Sequence, residues 1–250
     1  MDLNADLGEG FGAWRLGDDQ ALLDLITSAN VACGFHAGDP LTMRRVCAAA
    51  AERQVAVGAQ VGYRDLAGFG RRHIAYDFAE LRDETLYQLG ALNAFCRAYR
   101  TRVRYLKPHG ALYHAAAVDE VQAAALVAAI SDYDQELPVL CPPGSVLAQL
   151  AQGAGLRVVA EGFADRNYLP SGQLVPRSSP AALITDPQQV ARQAVRMATE
   201  RSVIAIDGSI IPCAVESICL HGDTPGAVAA AELVRAALVD AGITPTPFTA

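Results

Sequence analysis

The sequence predicts one α/β domain over residues 1–250, built as a seven-stranded parallel β/α barrel. Seven short apolar or β-branched runs alternate with helical patterns, and no linker or low-complexity segment interrupts them. Acidic, basic and imidazole side chains also follow nearly every predicted strand. A closed ring brings all of these strand ends onto one face, whereas the alternative, an open doubly wound sheet, leaves its outer strand ends far from a shared crevice.

Composition limits the class of protein. The 250 residues are 52% hydrophobic and 19% charged with a net charge of −7, so a sizeable core is expected and disorder is not. The basic residues form no long run, which argues against a nucleic-acid partner. No apolar stretch has the length of a membrane span and no basic leader is visible, so we expect a cytoplasmic protein. The six cysteines show no CxxC spacing and are expected to be free thiols.

The first half of the chain begins with a strand, Met1–Asp6, in which apolar and polar residues alternate. The glycine-rich loop after it contains acids and lacks the spacing of a dinucleotide-binding loop. Asp39 followed by Pro40 is a typical helix start. The elements that follow the first strand are predicted at Gly17–Ser28 (helix), Ser28–Cys33 (strand), Pro40–Arg53 (helix), Val55–Gln60 (strand), Val61–His73 (long loop) and Phe78–Arg100 (helix).

The second half opens with the strand Val103–Leu106 and the turn Lys107-Pro108-His109-Gly110. Side chains alternate along a strand, so Lys107 and His109 are expected to point the same way. Pro108 cannot donate to a ladder and belongs at the strand end. The remaining elements are predicted at Val118–Ser131 (helix), Leu137–Cys141 (strand), Ser145–Gly153 (helix), Leu156–Ala160 (strand), Asn167–Ser179 (loop), Pro187–Arg201 (helix), Ser202–Ile211 (hairpin), Ser217–Leu220 (strand) and Gly226–Ala241 (helix).

The polar side chains at the strand ends form the predicted site. Because parallel strands in a barrel share one carboxyl-terminal face, these side chains are expected to meet there. In chain order they are Asp6 and Glu9, Asn30 and His36, Gln60 with Arg71 and Arg72, Lys107 and His109, Glu161 with Asp165 and Arg166, and His221 and Asp223. Asn4 in the first strand and Arg177 in the loop Asn167–Ser179 complete the set.

A metal site is one alternative for this set. His36, His109 and His221 with nearby carboxylates are suitable ligand types, but no HxxxH or HExxH pair preorganises two of them. We therefore assign no metal ligand and leave a divalent metal open. A serine or cysteine hydrolase is not favoured, since GxSxG is absent and nothing near Cys33 indicates a reactive thiol.

Seven sequence blocks in order resemble the LamB/YcsF family. They are DLNADLGEG (2–10), SANVACGFHAGDP (28–40), GFGRR (68–72), KPHGALY (107–113), EGFADRNY (161–168), LVPR (174–177) and CLHGDTP (219–225). The resemblance implies a distorted TIM-like barrel of seven strands, similar to glycoside-hydrolase-like and deacetylase-like enzymes. It also implies the A component of a bacterial ATP-dependent 5-oxoprolinase, which opens 5-oxo-L-proline to L-glutamate together with subunits B and C.

One block departs from the family pattern. The family often shows GAHPGYPD after its third strand, where this chain has GAQVGYRD, so Gln60 replaces a frequent His and Arg64 a frequent Pro. A glutamine amide hydrogen-bonds but does not titrate near neutral pH and is a poor metal ligand. A metal or proton-relay role at that position is therefore in doubt here.

The implied chemistry suggests roles for the strand-end residues. We expect Asp6 or Glu161 to activate water and His109 or His221 to carry a proton, with His36 and Lys107 also in the catalytic set. Arginines suit bidentate contact with anions. The residues expected to bind substrate or phosphate are Asn4, Glu9, Asn30, Gln60, Arg71, Arg72, Arg166, Arg177 and Asp223.

ATP is expected as a co-substrate of the whole complex, because the nucleotide-binding pattern GxxxxGK(S/T) is absent from the chain. Two other functions remain open at this point. One is a stand-alone metal-dependent hydrolase or deacetylase on the same type of barrel, and the other is a ligand-binding subunit without chemistry. A homo-oligomer also remains open.

Overall fold

The computed structural model describes residues 1–223 and 226–249, so Thr224 and Pro225 of the CLHGDTP block lie outside the described residues. The strands are β1 (Asp2–Leu7), β2 (Ser28–Ala32), β3 (Ala56–Val61), β4 (Val103–Pro108), β5 (Val139–Cys141), β6 (Val158–Phe163), β7 (Ser202–Ile204), β8 (Ile210–Pro212) and β9 (Ser217–Leu220). Seven of them close into a parallel barrel in the order β1-β2-β3-β4-β5-β6-β9. The predicted barrel is confirmed, and the open sheet is excluded. The predicted hairpin is the antiparallel pair β7 and β8.

Helices surround the barrel. They are α1 (Asp19–Leu23), α2 (Pro40–Glu52), α3 (Phe78–Ala98), α4 (Gly110–Ala116), α5 (Glu120–Tyr133), α6 (Val146–Gly153), α7 (Pro187–Glu200) and α8 (Ala227–Asp240). The helix start predicted at Asp39 is confirmed, since its carboxylate accepts hydrogen bonds from the backbone N–H groups of Leu41 and Thr42 at 2.8 and 3.0 Å. Within the described ranges, none of the helices combines the length and apolar character that a bilayer crossing requires.

One part of the barrel interior is polar. Along β1, Leu3, Ala5 and Leu7 belong to the main hydrophobic cluster, whereas the alternate residues Asp2, Asn4 and Asp6 are buried polar groups that hydrogen-bond to side chains of neighbouring strands. This alternation follows from the two-residue period of a strand. It places carboxylates and amides inside the barrel, where the charges of the carboxylates must be compensated.

An apolar plug fills the opposite part of the interior. Tyr105, Leu140 and Val159 form a separate buried cluster, with Phe248 of the C-terminal segment packed against it. The Tyr105 and Phe248 rings meet at 4.9 Å. Gly58 lies beside Tyr105 in the sheet, and a Cβ there would come within 2.1 Å of the ring. Glycine at this position therefore makes room for the aromatic plug.

Two of the predicted boundaries that differ from the structure affect the site or the first helix, and one helix was not predicted. The first helix covers only Asp19–Leu23, because the Thr27 N–H already bonds to Leu3 O at 2.8 Å and the chain must extend to join β1. Strand β6 runs to Phe163, so Glu161 lies within the strand rather than after it. Helix α4, which begins directly after His109, was not predicted. The prediction of free thiols is confirmed, as all six cysteines are unpaired and buried.

Candidate active site

The Lys107 ammonium lies between two carboxylates at the polar end of the barrel interior. Its Nζ is 3.0 Å from Asp6 Oδ1 and 2.9 Å from Glu161 Oε1, and all three residues are at most 5% exposed. The three side chains come from β4, β1 and β6, which are separated along the chain but face one interior. We call Lys107, Asp6 and Glu161 the lysine cluster.

Charge compensation keeps Lys107 and Asp6 ionised. Burial opposes the charged form of Lys107, but the charges of Asp6, Cys219 and Glu161 outweigh burial and hold its pKa well above the usual value. Burial would also raise the pKa of Asp6. The Lys107 charge, followed by His221 and the Asn30 hydrogen bond, instead leaves that pKa lowered. Asp6 is therefore a carboxylate at neutral pH.

Two asparagines hold Asp6 in place. Asn30 Nδ2 donates to Asp6 Oδ1 at 2.8 Å and to Asn4 Oδ1 at 2.6 Å, and Asn4 Nδ2 donates to Ser217 Oγ at 2.7 Å. The Tyr105 hydroxyl donates to Asn30 Oδ1 at 2.6 Å. Both asparagines are completely buried. They were predicted to bind ligand, but this arrangement makes them supports of Asp6 without direct access to a ligand.

Glu9, Gln60, His36 and His109 form a second buried group, which we call the histidine cluster. Gln60 bridges it: His36 Nε2 is 3.2 Å from Gln60 Oε1, and Gln60 Nε2 donates to Glu9 Oε1 at 3.1 Å. His109 Nε2 lies 3.6 Å from the same Glu9 oxygen. The two imidazole rings stack at 4.0 Å with 14° between their planes.

Burial disfavours charge in the histidine cluster. Burial, reinforced by the charges of Asp6 and Asp223, raises the pKa of Glu9 well above its ordinary value. Burial lowers the pKa of His36 to about 4. Burial, together with His36 and Arg71, holds the pKa of His109 well below its ordinary value. Burial therefore favours the neutral forms of the Glu9 carboxyl and of the two imidazoles.

The histidine cluster has the donor types of a metal site. Ligand atoms of Glu9, His36 and His109 lie within 4.8 Å of one another, and carboxylate with imidazole suits Zn²⁺ and related cations. The two imidazole rings are nearly parallel, so their lone pairs lie in separate, nearly parallel planes and do not both point at a single position. The donor types fit a divalent cation, whereas this stacked arrangement of the rings does not favour one. His221, which we considered as a ligand from the sequence, is not part of this group.

A carboxylate–imidazole pair stands at the mouth of the barrel. Asp165 Oδ2 lies 2.9 Å from His221 Nδ1 and accepts from the His221 backbone N–H at 2.9 Å. Burial raises the pKa of Asp165, but the charge and hydrogen bonds of His221 outweigh it and leave the pKa lowered. The ionised Asp165 favours the His221 tautomer with a proton on Nδ1, which leaves Nε2 as the free nitrogen.

The predicted arginines differ in their burial and in their partners. Arg71 pairs with Asp223 at 2.6 Å. Arg166 donates to the carbonyl oxygens of Val175 and Ala182, and burial together with the charge of Arg177 lowers its pKa to about 10. Arg72 instead pairs with Asp65, and its side chain is 67% exposed. The prediction that Arg72 holds an anionic ligand finds no support in this placement.

A narrow cleft connects these groups to the surface. The predicted site residues that line it are Asp6, Arg71, Lys107, His109, Arg166, Arg177 and His221. Those buried behind it are Asn4, Glu9, Asn30, His36, Gln60 and Glu161. Six lining residues were not predicted as site residues, namely Pro108, Gly110, Tyr113, His114, Phe163 and Leu174. The spacing of four residues between His109 and Tyr113 could have indicated Tyr113, because a helix starting at Gly110 places it one turn after His109. That helix was not predicted.

Comparison with known proteins shows similarity along the whole chain. The LamB/YcsF family model matches residues 1–250. A protein of Nocardia farcinica named as the A component of 5-oxoprolinase is 54% identical over 248 residues, with 99% of both chains covered. One of Streptomyces griseus with the same name is 58% identical over 243 residues, with 97% of both chains covered.

Solved structures agree with this similarity. The crystal structure of a lactam utilization protein from Thermus thermophilus superposes with a TM-score of 0.94 at 45% identity, covering 99% of both chains. A family 4 carbohydrate esterase from Streptomyces lividans, covering 99% of this chain and 92% of its own, shares the fold alone at a TM-score of 0.51 and 11% identity. By sequence over its full length and by structure, the chain belongs to the LamB/YcsF family.

Proposed function

We propose that this chain is the ring-opening subunit of an ATP-dependent 5-oxoprolinase, acting in the cytoplasm with subunits B and C to convert 5-oxo-L-proline to L-glutamate. The observation that carries the proposal is the similarity of 54–58% over nearly the whole chain to relatives named as the A component of 5-oxoprolinase. A name that marks these relatives as one component of an enzyme supports the need for partners. The missing GxxxxGK(S/T) motif supports the assignment of ATP binding to those partners.

The chemistry requires activation before hydrolysis. A lactam is a resonance-stabilised amide and a poor electrophile. Phosphoryl transfer from ATP to the lactam oxygen weakens that resonance and creates a leaving group. Water then adds to the carbon, and the ring C–N bond breaks as the nitrogen takes up a proton. A second water releases inorganic phosphate from the resulting acyl phosphate and leaves the glutamate carboxylate. The site must supply a base for the water, an acid for the nitrogen and cations for the anionic groups.

Asp6 suits the base better than Glu161. Asp6 lines the cleft, whereas the Glu161 side chain is 0% exposed behind Lys107. In the free protein the Lys107 charge makes Asp6 a weak base. An anionic ligand that draws the ammonium away removes that charge effect and raises the Asp6 pKa toward its ordinary value. Ligand binding thereby strengthens the base at the moment when it is needed.

His221 suits the proton carrier better than His109. Asp165 holds Nδ1 of His221 and leaves Nε2 for a ligand in the cleft. His109 is buried against His36, and its lowered pKa opposes protonation. The guanidinium groups of Arg71, Arg166 and Arg177 around the same cleft suit the substrate carboxylate and the phosphoryl group.

The test is glutamate formation from 5-oxoproline and ATP by this chain with and without subunits B and C. We expect product only with all three subunits. Asp6→Asn should lower kcat about 100-fold, the usual size of a general-base effect. Asp132→Asn, which changes an exposed acid on α5, is the matched control and should retain full activity. No glutamate from the complete wild-type system would refute the function, whereas an active Asp6→Asn variant would refute only the role of Asp6.

A second function is supported by one observation, the donor group Glu9, His36 and His109. A stand-alone metal-dependent hydrolase on this barrel would use that group. It would hydrolyse a lactam or acetamide substrate without ATP once loaded with zinc or manganese, and would lose activity on chelation. ATP-dependent turnover that persists in the presence of a zinc chelator such as TPEN would exclude a catalytic zinc ion at this group.

A further inference from the structure

Tyr113 occupies a part of the cleft that the roles above leave unused. It lies in the first turn of α4, which the chain enters directly after His109, and its N–H donates to His109 O at 3.3 Å. Its ring packs edge-on against Phe163 at 5.6 Å. Its side chain lines the same cleft as Asp6 and Lys107. The phenol therefore belongs to the wall that a ligand would touch.

The Tyr113 hydroxyl differs from those of the other buried tyrosines. Tyr63 donates to Gln122, Tyr105 donates to Asn30, and the Tyr168 oxygen accepts from the Phe163 N–H at 2.7 Å. The Tyr113 hydroxyl is equally buried, but within residues 1–223 and 226–249 it makes no hydrogen bond of good geometry, although the Glu161 carboxylate lies near enough to raise its pKa. A buried hydroxyl without a partner destabilises the fold. Packing alone would favour phenylalanine at this position, so the hydroxyl needs another explanation.

We propose that Tyr113 is a substrate-contacting residue whose hydroxyl donates a hydrogen bond to the oxygen that carries the developing negative charge on the former lactam carbon as the ring opens. The inference rests on the proposed function and deepens it. An oxygen at the floor of the cleft would meet the phenol and the Lys107 ammonium together, which is the arrangement that stabilises developing negative charge. Burial and the charge of Glu161 raise the pKa of the phenol well above its ordinary value, so it keeps its proton and remains a donor.

The test compares two isosteric changes with opposite expectations. Tyr113→Phe removes a hydroxyl without a partner and should leave the melting temperature equal or higher. In the three-subunit assay it should lower kcat about 100-fold, the typical effect of losing one such donor, with KM nearly unchanged. Tyr63→Phe removes a hydroxyl that is bonded to Gln122 and is not a cleft residue. It should lower the melting temperature and retain wild-type kcat and KM.

Each outcome decides the inference. A stable Tyr113→Phe variant with reduced kcat supports it. An unchanged kcat overturns it. A fall in melting temperature like that of Tyr63→Phe also overturns it, because the hydroxyl would then have a structural partner such as Glu161. Wild-type turnover in the same assay separates these results from a failure of the proposed function, in which no variant and no wild-type protein would form glutamate.

Discussion

The lysine cluster and the histidine cluster are both buried, yet one keeps its charges and the other excludes them. In the first, a central ammonium touches two carboxylates at 2.9 and 3.0 Å, and both Lys107 and Asp6 stay ionised. In the second, the polar groups lie equally deep without a cation in contact among the described residues, and burial favours the neutral forms of Glu9 and the two histidines.

The difference shows that burial alone does not decide the charge of a site. Desolvation opposes ionisation in both clusters, and only an opposite charge at contact distance overcomes it. A cleft that combines charged and neutral buried groups offers two kinds of chemistry. The charged part can bind anions and act as a base, and the neutral part can donate and accept hydrogen bonds without adding net charge.

Removing the Lys107 charge should have the largest effect on stability. Lys107→Met leaves two carboxylates buried together and should lower the free energy of unfolding by about 3–5 kcal/mol at pH 7. The loss should shrink as the pH falls and the carboxylates become protonated. Urea unfolding at pH 7 and pH 4 measures both effects. Arg192→Met, which changes an exposed ion pair, is the control and should unfold like the wild type. Equal stability of the two variants would contradict the charged assignment.

Titration of His36 should have the next largest effect. Its pKa in the folded protein is lowered from 6.5 to about 4, so folding favours the neutral ring. Its contribution to stability is complete above pH 6.5. It is lost as the pH falls toward 4, because only the unfolded state binds the proton there. The loss should approach about 3 kcal/mol at about 1.4 kcal/mol per pKa unit.

The measurement is urea unfolding between pH 7.5 and pH 4 in the presence of a chelator. His36→Gln keeps a polar group beside Gln60 but cannot titrate, so its stability should depend less steeply on pH in this range. His73→Gln changes an exposed imidazole outside the cluster and should show the wild-type slope. A His36→Gln slope equal to that of the wild type would mean that His36 is not a buried neutral imidazole.

Changing Gln60 should have the smallest effect on stability, about 1 kcal/mol. It should instead change the affinity of the histidine cluster for a metal ion. Gln60→His removes the amide that occupies His36 Nε2 and adds a third imidazole beside Glu9. Nitrogen donors favour zinc, so we expect the affinity for Zn²⁺ to rise at least about tenfold. Isothermal titration calorimetry measures it. Gln60→Leu, which adds no ligand, should not gain affinity, and an equal gain in both variants would refute the explanation.

Much of the fold was predictable because its signals are local. Alternating residues predicted β1, and the cap Asp39 with Pro40 predicted the start of α2. The first helix was overestimated because its apolar pattern continues to Ile26, whereas pairing of Thr27 with β1 ends it. Helix α4 was missed because it is short and begins at a glycine, two residues after a proline. Boundaries of this kind depend on tertiary contacts that no local pattern contains.

The site was predictable as a set but not as an arrangement. Strand ends predicted that Asp6, Lys107, His109, Glu161 and His221 share one side of a barrel, because parallel strands impose it. Nothing in the residue order could show that Glu161 lies behind Lys107 while Asp6 lines the cleft. The pairing of Asp165 with His221 depends on the closure of β6 against β9.

The sequence by itself determined the order of the seven barrel strands, the polar strand ends and the family, because these depend on residue types and their spacing. Only the tertiary structure decided which buried groups keep a charge. That decision depends on the distance from Lys107 to Asp6 and Glu161, and on the absence of a cation in contact with Glu9 among the described residues. Electrostatic energy depends on distance and solvent exposure, and neither is contained in the order of residues.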